Sequence, residues 1–268
     1  MGRSKKLRNK VLKPDKKCIY CGGSKIATEI EHMPPKGMFV GSHRPDGLVF
    51  ASCSDCNRGS SKLDDAAAFF AAMWGYHEPD KRQQDHINAK FRSMVNNNPN
   101  LYKELRPTNL RLADGSDAVD QNGQPYGAMK VDGPFARDAI FRFGAKVAMA
   151  LHFEETKQIA GPEYQIGVLC FTNANAFRDE VPQQIFEILP GQDMLKQGRW
   201  TSKGVFEYKS GKTEDGGSSV HWAVLGQTLC YILFVGPDLP VPQESDGGGE
   251  MFRPGCLKRD YPPLRMGR

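Results

Sequence analysis

Four cysteines constrain this chain more than any other feature. "CIYC" at residues 18–21 and "CSDC" at 53–56 form a C-x2-C-x31-C-x2-C array. Two such pairs place four thiolates at the corners of a tetrahedron about 2.3 Å from a zinc ion. Thiolate ligands favour Zn²⁺ over Mg²⁺ or Ca²⁺. With Cys18, Cys21, Cys53 and Cys56 all engaged the shell is closed, so the expected ion is structural. A unit of this size has little core of its own, and a metal contributes on the order of 10 kcal/mol to folding. Cys170, Cys230 and Cys256 are too scattered for a disulfide framework and read as small buried apolar residues. That usage points to a reducing compartment, and the expected location is cytoplasmic. No apolar run approaches the roughly 20 residues of a membrane helix. The basic first residues lack the apolar stretch of a secretory signal.

The long insert between the two pairs carries the chemistry. "ATEIEH" alternates up to Glu31-His32, where Pro34 and Pro35 stop the strand. "LVFAS" (48–52) is the expected return strand into the second pair. Asn57 follows directly, near a helix start. An acid, an imidazole and an amide on neighbouring elements of one metal scaffold suit a hard cation and a general base.

Cys18-x2-Cys21, Glu31-His32-x-Pro-Pro and Cys53-x2-Cys56-Asn57 with Lys62 behind them resemble the zinc-stapled branch of the HNH nuclease family, whose core is the ββα-metal fold. The resemblance spans about residues 16–76. "AKVAMALHFEETKQIAGPEYQIGV" (145–168) is similar to the helix-plus-sheet extension of some bacterial and phage members. The resemblance implies a metal-dependent endonuclease hydrolysing phosphodiester bonds in DNA, with RNA as the other candidate, in a phage or host-defence setting. It implies that His32 deprotonates the attacking water, that Glu31 and Asn57 hold Mg²⁺ or Mn²⁺, and that zinc stays outside the chemistry. Lys36, Arg44, Arg58 and Lys62 surround the site in sequence and are the candidate phosphate contacts. One letter departs: where the family has its middle Asn, "RPDGLVF" has Asp46 and Gly47. Either Asp46 or a backbone carbonyl orients His32, or the site is silent. In the silent case the chain is a zinc-stabilised module that binds nucleic acid or a protein partner.

The expected organisation has five parts. Residues 1–15 are a flexible basic arm, 16–76 the zinc-stapled HNH unit, 77–133 a connector of helix and loop, 134–236 an α+β extension and 237–268 an irregular Pro/Gly-rich tail. Net charge is +5, and eight Lys or Arg against Asp15 alone fall in the first seventeen residues. Such an arm either contacts a polyanion or is a solvated terminus. "LDDAAAFFAAMWGY" predicts a helix over 63–76 with Asp64 and Asp65 in its first turn. Apolar residues at three- and four-residue spacing predict another over 134–158. Strands are expected at 164–171, 184–189, 204–210, 220–226 and 228–236. The fold class is therefore α+β with a mainly antiparallel sheet, whose edges offer a route to a homodimer. His43, His77 and His86 read as surface residues. His152, His221, Trp74 and Trp222 read as core.

Overall fold

In the computed structural model, which describes residues 3–73, 80–112, 114–182, 184–239 and 249–258, the chain opens with a helix rather than a flexible arm. α1 (Arg3–Val11) lies against the first pair of strands. Arg8 Nη2 donates to the Thr28 carbonyl at 2.8 Å. Lys5, Lys6, Arg8 and Lys10 remain exposed on it. The first cysteine pair forms a short 3-10 turn, Ile19–Cys21. β1 (Glu29–His32) and β2 (Val49–Ser52) then pair antiparallel, Glu31 opposite Phe50 and His32 opposite Val49.

α2 (Ser54–Ala72) begins at the second cysteine pair instead of at Leu63. Cys53 is its N-cap, and the Asn57 N–H donates to the Cys53 carbonyl at 3.0 Å. Asp64 and Asp65 therefore sit in mid-helix, not in a first turn. Trp74 and His77 lie outside the described residues. α3 (Lys81–Asn97) starts with a reciprocal capping box between Asp80 and Gln83. α4 (Pro99–Glu104) follows, and β3 (Arg106–Asn109) pairs with β4 (Gly127–Lys130).

α5 (Pro134–Thr156) is the central helix, apolar nearly all round, as a helix covered on several sides must be. Behind it come β5 (Gln165–Thr172), α6 (Asn173–Phe177), α7 (Gln184–Ile188), β6 (Asp193–Met194), β7 (Lys196–Gln197), β8 (Trp200–Thr201), β9 (Phe206–Lys212), β10 (Ser219–Leu225), β11 (Leu229–Gly236) and β12 (Glu250–Phe252). Six of these strands form one antiparallel sheet in the order β12-β5-β11-β10-β9-β6. α5 lies across this sheet so closely that a Cβ on Gly144 would meet Val168 Cγ1 at 2.6 Å. Four of the five expected strands are present. The fifth, 184–189, is the helix α7. The stretch's six residues, four of them apolar, are too few to distinguish strand from helix by period, and Ile188 is left 74% exposed.

The tail also differs from expectation. β12 adds to β5, and Met251, Phe252, Cys256 and Leu257 are buried. The Gly255 N–H donates to the Tyr20 carbonyl at 2.7 Å. A Cβ on Gly59 would lie 2.2 Å from the Leu257 carbonyl oxygen. The tail thus packs on the first cysteine turn and on α2 just past the second pair. One contiguous core runs through Tyr20, Phe50, Phe70, Phe143, Ile166, Tyr231 and Leu257. The cysteine-rich segment and the sheet are therefore packed as one body. The sheet edges are β12 and β6, three and two residues long. Among the described residues no helix is long and apolar enough to cross a membrane.

Candidate functional site

The 3-10 turn at Ile19–Cys21, the end of β2 and the start of α2 bring the four cysteines together. The Sγ atoms of Cys18, Cys21, Cys53 and Cys56 all lie within 4.8 Å of one another, and all four residues are buried. A tetrahedral zinc–thiolate site needs sulfurs about 3.8 Å apart, so the cluster could bind a metal such as zinc. It is the only such group among the described residues. Thiols this close share protons: hydrogen bonding with Cys18 and Cys56 holds Cys21 well below its ordinary value. Hydrogen bonding with Cys21 pushes Cys18 up to about 11. A divalent cation would replace those protons and leave four thiolates.

Glu31 and His32 are adjacent in sequence, and a strand sends adjacent side chains to opposite faces. Glu29 and Glu31 turn toward α2. Glu29 accepts a hydrogen bond from Asn57 Nδ2, with Arg58 Nη2 4.0 Å away. Glu31 is only 7% exposed. Its Oε1 accepts the His32 backbone N–H at 3.2 Å and lies 3.3 Å from Lys146 Nζ. Lys146 reaches in from α5 and also donates to Ser60 Oγ at 3.0 Å and to both Asp64 oxygens at 2.7 and 2.8 Å. Burial would lower the Lys146 pKa, but the Asp64 and Glu31 carboxylates outweigh it and hold the ammonium above its ordinary value. Glu31 and Asn57, the pair that the resemblance assigns to a catalytic divalent ion, therefore do not converge. Each has a different partner, Lys146 for Glu31 and Glu29 for Asn57.

His32 faces the other way, toward the loop between β1 and β2. Among the described residues nothing hydrogen-bonds its ring. Burial, then the charges of Arg44 and Lys36, lower its pKa to about 4, while Asp46 opposes them. The imidazole is therefore neutral at ordinary pH. Asp46 is near enough to act on it.

The four candidate phosphate contacts part company. Lys36, Arg58 and Lys62 are exposed. Arg44 is not available. Its guanidinium donates to the carbonyls of Met33 (2.6 Å), Pro34, Pro45 and Gly47 (2.8 Å each) and Leu48 (3.3 Å). Arg44 thus fastens the β1–β2 loop that carries Asp46.

Sequence reasoning missed Lys146 and Asp64. The signal for Lys146 was present: a single cation inside the apolar run "FGAKVAMAL" is costly to bury unless a carboxylate meets it. His152 and His221 are core residues, as expected, and both are bridged by Ser219 Oγ at 2.7 and 2.8 Å. No family model, curated protein or solved structure matches the chain.

Proposed function

We propose that the chain is an HNH-type phosphodiesterase acting on DNA, with His32 as general base and a structural zinc on Cys18, Cys21, Cys53 and Cys56. The observation that carries this reading is the state of His32. Its imidazole is neutral, has no hydrogen-bond partner in the protein among the described residues, and lies beside the exposed Lys36. A neutral imidazole with a free lone pair can take a proton from water. Lys36 supplies a cation to hold the phosphate, and Arg58 and Lys62 extend the positive surface. A bound phosphate offsets the charges of Lys36 and Arg44. His32 then becomes a stronger base when substrate is present. The zinc, when bound, cross-links the two cysteine turns that set the ends of β1 and α2. Lys5, Lys6, Arg8 and Lys10 on α1 add sequence-independent attraction for a polyanion.

A second reading is favoured by the pairing of Glu31 with Lys146 and of Asn57 with Glu29. It makes the chain a silent relative that binds nucleic acid or protein without cutting.

Plasmid digestion separates the two. Zinc-loaded wild type, assayed with and without Mg²⁺ or Mn²⁺, should nick or linearise DNA, and His32→Ala should lose about 10²–10⁴-fold of the rate while binding DNA equally well. Equal cutting by His32→Ala removes His32 as the base. DNA binding without cutting by wild type selects the silent reading.

A further inference from the structure

The charged cluster beneath β1 has no part in the His32 chemistry. Lys146 is fully buried, yet its ammonium meets four oxygens: Ser60 Oγ, both Asp64 oxygens and Glu31 Oε1, at 2.7 to 3.3 Å. The Tyr20 hydroxyl, also fully buried, has no hydrogen-bond partner among the described residues. Burial holds the proton on that phenol, and both carboxylates add to the effect. Hydroxyl and carboxylate oxygens gathered around one positive centre are the donor set that a hard divalent cation takes. An ammonium at that centre excludes such a cation, because two positive charges in contact repel strongly where water is absent. The cluster also carries two carboxylates against one ammonium. Burial pushes the Asp64 carboxyl up, with Lys146 opposing and Glu31 adding to the rise. The oxygen set therefore retains appetite for positive charge.

We propose that Lys146 is the resident cation of the Glu31 site: its ammonium stands where a divalent ion would have to sit. Glu31 therefore binds no metal in the native chain, and Glu31, Asp64 and Ser60 become a metal site only when the lysine is removed. The proposal rests on the HNH-type reading only in that this reading would give Glu31 a divalent ion. The lysine comes from α5, so the docking of the central helix and the occupancy of the Glu31 site are one event.

The test reads ion binding rather than cleavage. The full-length zinc-loaded chain is titrated with Mn²⁺, and free ion is measured by electron paramagnetic resonance. Glu31→Gln should leave the wild-type isotherm unchanged. Lys146→Ala should gain one Mn²⁺ per chain, and adding Glu31→Gln to it should weaken that site at least tenfold. Mn²⁺ should also raise the melting temperature of Lys146→Ala and not that of wild type. A wild-type Mn²⁺ site that weakens tenfold in Glu31→Gln overturns the proposal, as does a folded Lys146→Ala that gains no Mn²⁺. If Lys146→Ala does not fold, the comparison of wild type with Glu31→Gln decides by itself. Failure of the His32 assignment leaves all these outcomes unaffected.

Discussion

Arg44 shows how a residue with the right charge in the right place can have another task. Lys36 and Arg44 look equivalent as phosphate contacts in sequence, but the Arg44 fork is filled by five backbone carbonyls. A lysine keeps the charge and cannot reproduce that planar fork. Arg44→Lys should therefore cost about 1–3 kcal/mol of stability through carbonyls left unpaired, with the salt dependence of DNA binding unchanged. Thermal melting and binding titrations check this, and a loss of affinity at unaltered melting temperature would return Arg44 to the phosphate surface. The buried histidines give a second prediction at this scale. Burial lowers His152 to about 4 and His221 to about 3. Between the ordinary histidine value of about 6.5 and those values the unfolded chain binds protons that the folded chain does not. Their contribution is thus present above about pH 6.5 and is lost as pH falls from there toward 4. His221→Gln cannot titrate, so its stability should decline less steeply over that range than that of wild type in parallel melting series.

At the scale of elements, α1 and α2 both owe their form to what flanks them. α2 takes its first turn from the second cysteine pair, and α1 presents Lys5, Lys6, Arg8 and Lys10 from an ordered helix whose Arg8 donates to the Thr28 carbonyl just before β1. Removing residues 1–12 should leave the melting temperature nearly unaltered. It should weaken DNA binding and reduce the slope of log affinity against log salt by about 0.9 for each phosphate that α1 neutralises in the intact chain. Fluorescence anisotropy across a salt series measures both. A slope that does not change assigns α1 to plain solvation. α7 makes the converse case: "QIFEIL" carries a strand-like pattern, and no neighbouring strand receives it.

For the whole molecule, the cysteine cluster lies within the same core as the sheet. Cys18, Cys53 and Cys56 share it with Phe143, Ile166 and Leu257. Purified protein should hold one zinc per chain. Stripping that zinc with a chelator should lower a single cooperative transition for the entire chain, rather than melt the cysteine unit and leave the sheet intact. Calorimetry with metal analysis reads this, and two resolved transitions after chelation would make the two parts independent.

The chain's sequence by itself determined the features that depend on neighbours along it. The doubled C-x2-C brings its four sulfurs together because each pair closes a short turn. The alternation of "ATEIEH" and "LVFAS" yields β1 and β2, since period-two patterns act over a few residues. Spacing of three and four residues yields α5 almost to its observed ends. Only the tertiary structure decided which face each polar side chain meets. A helix from the far side of the chain delivers Lys146 to Glu31 and Asp64, and the tail delivers Leu257 to Gly59. Such contacts carry no local period. They arise because a buried carboxylate must find a cation and a buried apolar segment must find a surface, and which partner is found depends on how the whole chain closes.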